Sequence, residues 1–462
     1  MYVLMIIIFV LGYCMIAFEH PLKIDKAAPA LLIAVLGWVA YILGADDILR
    51  DSLPFHQYLS ANPDGNTVSY IVGELSHSLG HHSEIIFFLM GAMTIVELID
   101  AHQGFSVITD KITSKKEIIL LWTLSIITFF LSATLDNLTT SIVMISLLRK
   151  LVYDQKERWF FAGIIIISAN AGGAWSPIGD VTTTMLWIGN QITAVNIIQE
   201  LIVPSLICMI IPLVILSFRM RGKVVTPQYT EEKEHIENKT TALERNVVFF
   251  TGIGGLLFVP IFKTTTGLPP YMGMMFSLGV LWIVTELLHR SKNHEEKSHL
   301  SVIGVLRKID MVSILFFLGI LLAISSLQSA GHLTELAYYF KEHLKNIYAI
   351  NIAIGLLSAI VDNVPLVAAS MGMYKIETAQ SLAAMDPAAY EFAHHFIQDG
   401  NFWEFLAYCA GTGGSVLIIG SASGVAVMGL ERIPFGWYVK HISLWALIGY
   451  FAGAAYFILR YA

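Results

Sequence analysis

The segment FLSATLDNLTTSIVMIS (130–146) sets a carboxylate, Asp136, and a carboxamide, Asn137, in the middle of an apolar run. LLSAIVDNVPLVAASMG (356–372) does the same with Asp362 and Asn363. An ionisable side chain at bilayer depth is costly and is retained where it lines a polar path or meets a partner. Both segments belong to a longer pattern. IIFFLMGAMTIVELI (85–99) precedes the first and is echoed by ILFFLGILLAISSL (314–327) before the second. AGGAWSPIGDVTT (171–183) follows the first and is echoed by TGGSVLIIGSASG (412–424). Gly172-Gly173 then matches Gly413-Gly414, and Gly179-Asp180 matches Gly420-Ser421. Three blocks in the same order twice over make an internal repeat. The spacing from Asp136 to Gly172 is 172 − 136 = 36 residues and from Asp362 to Gly413 it is 413 − 362 = 51. The surplus of 15 falls in the polar stretch 375–399, an insertion in a loop.

The surrounding chain is a membrane sequence. Of 462 residues, 56% are hydrophobic and 14% charged, with a mean hydropathy of +0.67. A soluble domain carries about a quarter charged residues, and a span needs about 20 apolar ones. The stretches 1–18, 29–45, 84–102, 196–218, 246–262, 271–289, 310–330 and 441–459 meet that need. The stretches 117–153, 159–190, 347–374 and 401–430 are apolar but interrupted by Gly, Pro, Asn, Asp and Thr. The first residues lack a basic leader and a small-residue cleavage site, and are expected to form a retained first span. Cys14, Cys208 and Cys409 lie in apolar runs without a CxxC pair, which suggests neither a disulfide framework nor a zinc site. No phosphate-binding glycine motif, HExxH or GxSxG stands out, no nucleophile–base pair argues for an enzyme, and the scattered basic residues give no nucleic-acid footprint.

Lysine and arginine fix an expected orientation. With the N-terminus outside, and with 117–153 and 347–374 entering and leaving on one side, the inside segments are 19–28, 103–118, 149–158, 219–245, 290–308 and 431–440. These hold 22 of the 28 basic residues, and 28 − 22 = 6 remain outside: Arg50, Lys263, Lys341, Lys345, Lys375 and Arg460. The positive-inside rule expects such a bias. This threading runs 84–102 inward and 310–330 outward, so the repeats are inverted, each with a re-entrant hairpin and an unwound helix. Interrupted helices meeting near the midplane of inverted repeats are a hallmark of secondary transporters. The expected division is an N-terminal half 1–218, a cytoplasmic linker 219–244 and a C-terminal half 245–462. The fold expected is all-α and polytopic, with both termini outside.

Non-helical backbone at membrane depth must be buried in protein or line a wet cavity. The breaks carry Asp136, Asn137, Thr139 and Thr140 in one hairpin and Asp362, Asn363 and Pro365 in the other. Such oxygen groups, with carbonyls freed by the breaks, suit a hard cation. Asp and Asn also cap turns, but capping needs no carboxylate at this depth. Asp180, after SPIG, reads both as a helix cap and as an ion ligand, and its repeat mate is Ser421. The first half thus keeps Asp136 and Asp180 near its break and the second only Asp362, which points to the first half for the principal cation or proton site. Asn170 before the Gly-Gly turn either ligates or satisfies freed backbone. Glu97 reads as a snorkelling interfacial carboxylate or as part of a proton path, and Glu286 as interfacial. His77, His81 and His82 are expected outside, either as pH sensors, because histidine titrates near neutrality, or as solvated loop residues.

The blocks SATLDNLTTSIVM, SANAGGAWSPIGDVTTTMLW, LLSAIVDNVP and GTGGSVLIIGSASGVAVMG resemble those of NhaD-type sodium/proton antiporters, along nearly the whole chain. That family sits in the ion transporter superfamily with divalent anion/sodium symporters and arsenite permeases. The resemblance implies a scaffold of packed spans, a moving transport part and a homodimer in the cell inner (plasma) membrane, acting in sodium and pH homeostasis. Hairpin tips would fall at Asp136-Asn137 and Asp362-Asn363, and unwound turns at Asn170 to Asp180 and Gly411 to Ser423. The anion symporters carry Ser-Asn-Thr at both tips, whereas here the tips are Leu-Asp-Asn and Val-Asp-Asn, which argues for a cation.

The function expected is exchange of cytoplasmic Na+, with Li+ as an alternative cation, for external H+. The site would comprise Asp136, Asn137, Thr139, Asn170, Asp180, Asp362, Asn363 and Ser421, with Na+ at Asp136, Asn137 and Asp180 and no cofactor beyond the transported ions. The rival is ion-coupled symport of a small anion of the dicarboxylate or arsenite type. It would need a cationic or hydroxyl-rich site, and no Lys or Arg falls inside the interrupted blocks.

Overall fold

Asp136 interrupts what the apolar run 117–151 would otherwise make one long helix. Its φ is +98°, a backbone region that L-residues with a side chain rarely adopt. The computed structural model describes residues 1–50, 52–109, 112, 116–218, 222, 240–290, 299–344 and 346–461. The proposed linker 219–244 lies mostly outside the described residues. The longer helices are α1 (Tyr2–Ala17), α2 (Ala27–Leu43), α3 (Leu53–Ala61), α4 (Thr67–Ala101), α5 (Glu117–Leu135), α6 (Asn137–Leu151), α7 (Gln155–Ala174), α8 (Val181–Ile188), α9 (Ala194–Ser217), α10 (Ala242–Thr266), α11 (Pro270–Leu288), α12 (Met311–Ser329), α13 (His332–His343), α14 (Ile347–Ser358), α15 (Asn363–Met373), α16 (Asn401–Gly413), α17 (Ala422–Glu431) and α18 (Ser443–Tyr461).

Six of them, α5, α9, α10, α11, α12 and α18, are long and apolar enough to cross a membrane. The chain is a polytopic, all-helical membrane protein. The apolar α1 and α2 have 16 and 17 residues. The stretch expected as a span at 84–102 is the second half of a 35-residue helix, α4. His77, His81 and His82 therefore lie on a helix and not in a loop. Polar residues end a hydropathy window without breaking helical hydrogen bonding, and nothing between Thr67 and Ala101 has the geometry of proline. His82 meets Ser325, Nε2 to Oγ, at 2.7 Å.

The chain forms two compact units. One comprises Met1–Phe87, Asp310–Asn346 and Val364–Ile376, and the other comprises Phe88–Ile309, Ile347–Asn363 and Glu377–Ala462. Each draws on both halves of the sequence. In the first, α2 packs on α12 through small residues: Gly319 lies against the backbone of Ala30, and Gly37 against Ser326. Small residues let membrane helices approach where no hydrophobic drive exists between them. Trp38 Nε1 donates to Leu322 O at 3.0 Å and Tyr41 OH to Ser329 O at 3.1 Å, so indole and phenol are satisfied inside the pair.

The second unit contains both broken helices. α7 ends at Ala174 and α8 starts at Val181; α16 ends at Gly413 and α17 starts at Ala422. Charged and polar ties hold the far ends. Glu431, at the end of α17, takes Arg149 Nε at 2.6 Å and Arg158 Nε at 3.0 Å, and its carbonyl takes Trp159 Nε1 at 2.9 Å. After α8, Gln191 O accepts Asp399 N at 2.8 Å, Asn190 O accepts Gln398 Nε2 at 3.0 Å, and Lys263 Nζ donates to Trp187 O at 2.7 Å.

Candidate functional site

The breaks bring buried polar side chains together within the second unit. Asp180 is 2% exposed and caps α8. Its Oδ1 accepts the backbone N–H of Thr182 at 2.9 Å and the Thr182 hydroxyl at 2.8 Å. Asn137 Nδ2 donates to Oδ2 at 2.6 Å. Asn363 Nδ2 lies 3.4 and 3.5 Å from the two carboxylate oxygens. The carboxamides of both Asp-Asn segments therefore address one carboxylate.

Asn170, wholly buried, forms the other centre. Its Oδ1 accepts from Asn137 Nδ2 at 3.1 Å and from Ser423 Oγ at 2.8 Å. Its Nδ2 donates to Ser415 Oγ at 2.9 Å and Ser421 Oγ at 3.0 Å. Residues from the breaks of α7–α8 and α16–α17 thus share one network, since orphaned polar groups are costly in a low-dielectric interior.

Asp136 is half-buried and its contacts are local: Oδ1 accepts Thr139 N and Oδ2 accepts Thr139 Oγ1, both at 2.8 Å. The helix-capping reading of Asp136 and of Asp180 therefore describes real bonds, and Ser421 caps α17 in the same way. Capping and charge are not exclusive, however. Asp136 lies within electrostatic range of Asp180, and Asp180 within range of Asp362. Among the described residues no lysine or arginine is bonded to Asp136 or Asp180. Glu97 stands apart from this network, 3.9 Å from Lys308 Nζ.

Ser415, Ser423 and Thr182 are members of the network that the sequence did not single out. Their signal was the density of hydroxyls in GTGGSVLIIGSASG and SPIGDVTT, which reads as loop chemistry until the carboxamides are placed beside it.

The two repeat blocks make matching contacts. Ser132 Oγ donates to Ala169 O at 2.6 Å, and Ser358 Oγ to Ala410 O at 2.9 Å. Gly172 abuts the carbonyl of Phe129, and Gly413 that of Gly355. A Cβ at either glycine would strike the neighbouring backbone, so each break is held against its partner helix by a contact no other residue permits.

Residues 13–393 match the citrate transporter family model. Sodium/proton antiporter 1 of Arabidopsis thaliana is 45% identical over 458 residues, covering 99% of this chain and 72% of that protein. The Na(+)/H(+) antiporter NhaD of Alkalimonas amylolytica is 29% identical, covering 97% of this chain and 89% of its own. The chain belongs to the NhaD-type sodium/proton antiporter family. The family is one of transporters and not of enzymes. The YdaH transporter of Alcanivorax borkumensis has a similar fold, with a TM-score of 0.50 at 11% identity over 86% of this chain and 89% of that one. The family assignment agrees with the resemblance that the TLDN and SPIGDVTT blocks carry.

Proposed function

We propose that the chain exchanges Na+, and Li+ by the same chemistry, for H+ at a site centred on Asp180. The observation that carries this reading is the convergence of Asn137 and Asn363 on that one buried carboxylate. Asn170, Ser421 and the carboxylates of Asp136 and Asp362 complete the site, with Thr139 orienting Asp136. In this arrangement the carboxamides point N–H at the carboxylate. A turn about the last side-chain bond presents their oxygens instead, so the groups that hydrogen-bond Asp180 can also join it in ligating a cation. Like carboxylates in poor solvent do not all ionise cheaply. A proton and a sodium ion are then alternative occupants, and either licenses the return step. An anionic substrate would meet the carboxylates of Asp136 and Asp180, to neither of which a lysine or arginine is bonded among the described residues.

Several contacts support the wider architecture. Glu117, at the start of α5, is within electrostatic range of Glu157, in the first turn of α7. α6 ends at Leu151, with three residues between it and the start of α7, so 117–153 reads as a hairpin opening at one end. Glu377 and Ile397 form a bridge, and Tyr348 packs near His395, so 347–374 reads likewise. α17 ends where α7 begins, and α16 begins where α8 ends. Two broken helices crossing in opposite directions, as in inverted repeats, give that pairing. The halves 1–218 and 245–462, a scaffold with a moving transport part, a homodimer, a plasma-membrane location and external termini belong to the same reading. Everted vesicles test the exchange: adding Na+ or Li+ should dissipate a respiration-driven pH gradient. If neither does, the exchange reading fails.

A further inference from the structure

Five buried hydroxyls on three consecutive helices have no hydrogen-bond partner: Ser125 and Thr128 on α5, Thr140 and Ser141 on α6, and Ser168 on α7. Each is 1% exposed or less. Among the described residues only two other serine or threonine hydroxyls share this condition, Ser205 and Ser443. The remedy open to a helical hydroxyl is its own preceding turn, and the chain uses it elsewhere. Thr94 donates to Met90 O at 2.6 Å, Ser370 to Leu366 O at 2.9 Å and Thr412 to Tyr408 O at 2.6 Å. The five hydroxyls do not, and an unpaired buried hydroxyl costs free energy.

Their placement is not random. On α5, Ser125, Thr128 and Ser132 share one face by helical spacing, and Ser132 bonds to Ala169 of α7. Ser168 lies one turn below Gly172, on the side of α7 that meets Phe129. Thr140 and Ser141 lie one turn below Asn137, whose amide is already in the site. From the tip at Asp136 the hydroxyls descend α5 by about 15 Å, at 1.5 Å per residue. They descend toward the end that holds Glu117 and Glu157. The second half does not repeat them. With 362 − 136 = 226 and 413 − 172 = 241 as registers, Thr128, Thr140, Ser141 and Ser168 correspond to Ile354, Leu366, Val367 and Cys409. Ser125 corresponds to Asn351, whose amide donates to Phe402 O at 3.0 Å while its Oδ1, like the five hydroxyls, finds no partner among the described residues.

We infer that the seam between α5, α6 and α7 is the water-filled access path by which a monovalent cation reaches Asp180 from one face, closed in this structure, with Ser125, Thr128, Thr140, Ser141 and Ser168 as its lining. The inference rests on the proposed exchange at Asp180. In the closed seam the five hydroxyls are buried and find no protein partner among the described residues. Opening the seam gives each a water partner, so closure carries a penalty that keeps the gate from locking. At four of the five matching places the other half carries Ile354, Leu366, Val367 and Cys409, none of them with a hydroxyl, so it does not repeat the path.

The test is single cysteines at Ser125, Thr128 and Ser168, exposed to a membrane-impermeant cationic thiosulfonate in everted and in right-side-out vesicles and read by peptide mass spectrometry. The native Cys208 and Cys409, both buried, serve as unlabelled references. The path predicts labelling in everted vesicles alone, at least fivefold above the references and slowed by saturating Na+. Labelling from the opposite face, or at none of the three while transport persists, overturns it. Thr128→Val gives an independent reading. A lining hydroxyl predicts transport lowered about tenfold with the thermal midpoint held or raised, and recovery in Thr128→Ser. Unchanged transport in Thr128→Val overturns the role of that hydroxyl. Labelling without any Na+-driven proton movement would keep the path and sink the exchange, so the two failures are told apart.

Discussion

Arg149 meets Glu431 at 2.6 Å, joining the last turn of α6 to the last turn of α17, 431 − 149 = 282 residues away. The side chain of Glu431 is 1% exposed, while Arg149 is 44% and Arg158 20% exposed. Breaking a buried ion pair costs about 3–5 kcal/mol, and the exposure of Arg149 lowers that through solvent screening. Glu431→Gln should therefore destabilise the protein by about 2–3 kcal/mol. Thermal unfolding in detergent reads this, and an unchanged midpoint removes the tie from the account of the fold.

Asn137→Ala removes a hydrogen bond to the Asp180 carboxylate. Bonds to charged groups are worth about 1.5–3 kcal/mol, or about ten- to a hundredfold in a binding constant. The apparent sodium constant should rise by that factor with expression intact. A constant within twofold of the parent would take Asn137 out of the cation site.

Asp136→Asn keeps an acceptor for the Thr139 N–H and removes only the charge. Exchange should be abolished while membrane insertion and yield stay normal. Normal exchange with unchanged sodium affinity would leave Asp136 as a helix cap and nothing more.

Competition at one site has a defined pH signature. Lowering the pH should weaken apparent sodium affinity about tenfold per unit where one proton competes. Asp180→Asn should flatten whatever transport remains, and Ser421→Ala should change the dependence far less. His395 should not contribute. It lies in the loop before α16, where burial first, and then the neighbouring His394, pushes its imidazole down to about 4. The unfolded chain takes up its proton near pH 6.5 and the folded chain only near 4, so stability falls as pH drops through that window and is unaffected above it. His395→Gln should leave the transport profile between pH 6.5 and 9 superimposable on the parent. A sodium constant independent of pH in the parent would point to separate ion and proton routes.

Cysteines at Lys115 and Lys233 should react only from the cytoplasm, and those at Asp64 and Glu391 only from outside, following the division of 22 basic residues against 6. Reaction of the Glu391 position from inside would undo the second hairpin and the inversion with it.

The breaks were legible in the sequence because Asp, Asn and paired glycines are conspicuous inside apolar runs. The TLDN and SPIGDVTT blocks led to the family for the same reason. The partners of Asn170 were not legible. Ser415 and Ser423 sit 415 − 170 = 245 and 423 − 170 = 253 residues away, and a serine in a glycine-rich turn carries no mark of what it will face. The start of α4 was missed because hydropathy reports the solvent of a segment and not its hydrogen bonding. That Asp180, rather than Asp136, receives both carboxamides follows from how the helix ends cross, which spacing along the chain does not encode.

The bonds from Asn170 to Ser415 and Ser421 mean that neither half of the chain owns a finished site. Residues 1–218 would present Asn170 without its three serine partners and Asp180 without Asn363, and residues 245–462 would present those serines and Asn363 without either. On the proposed reading the molecule is an obligate complement of itself, whose binding chemistry would be created when the two stretches dock. A chain severed within 223–239 and supplied as two fragments should recover transport only when both are made together. A lesion at Asn170 in one fragment should then be as damaging as the loss of the other fragment.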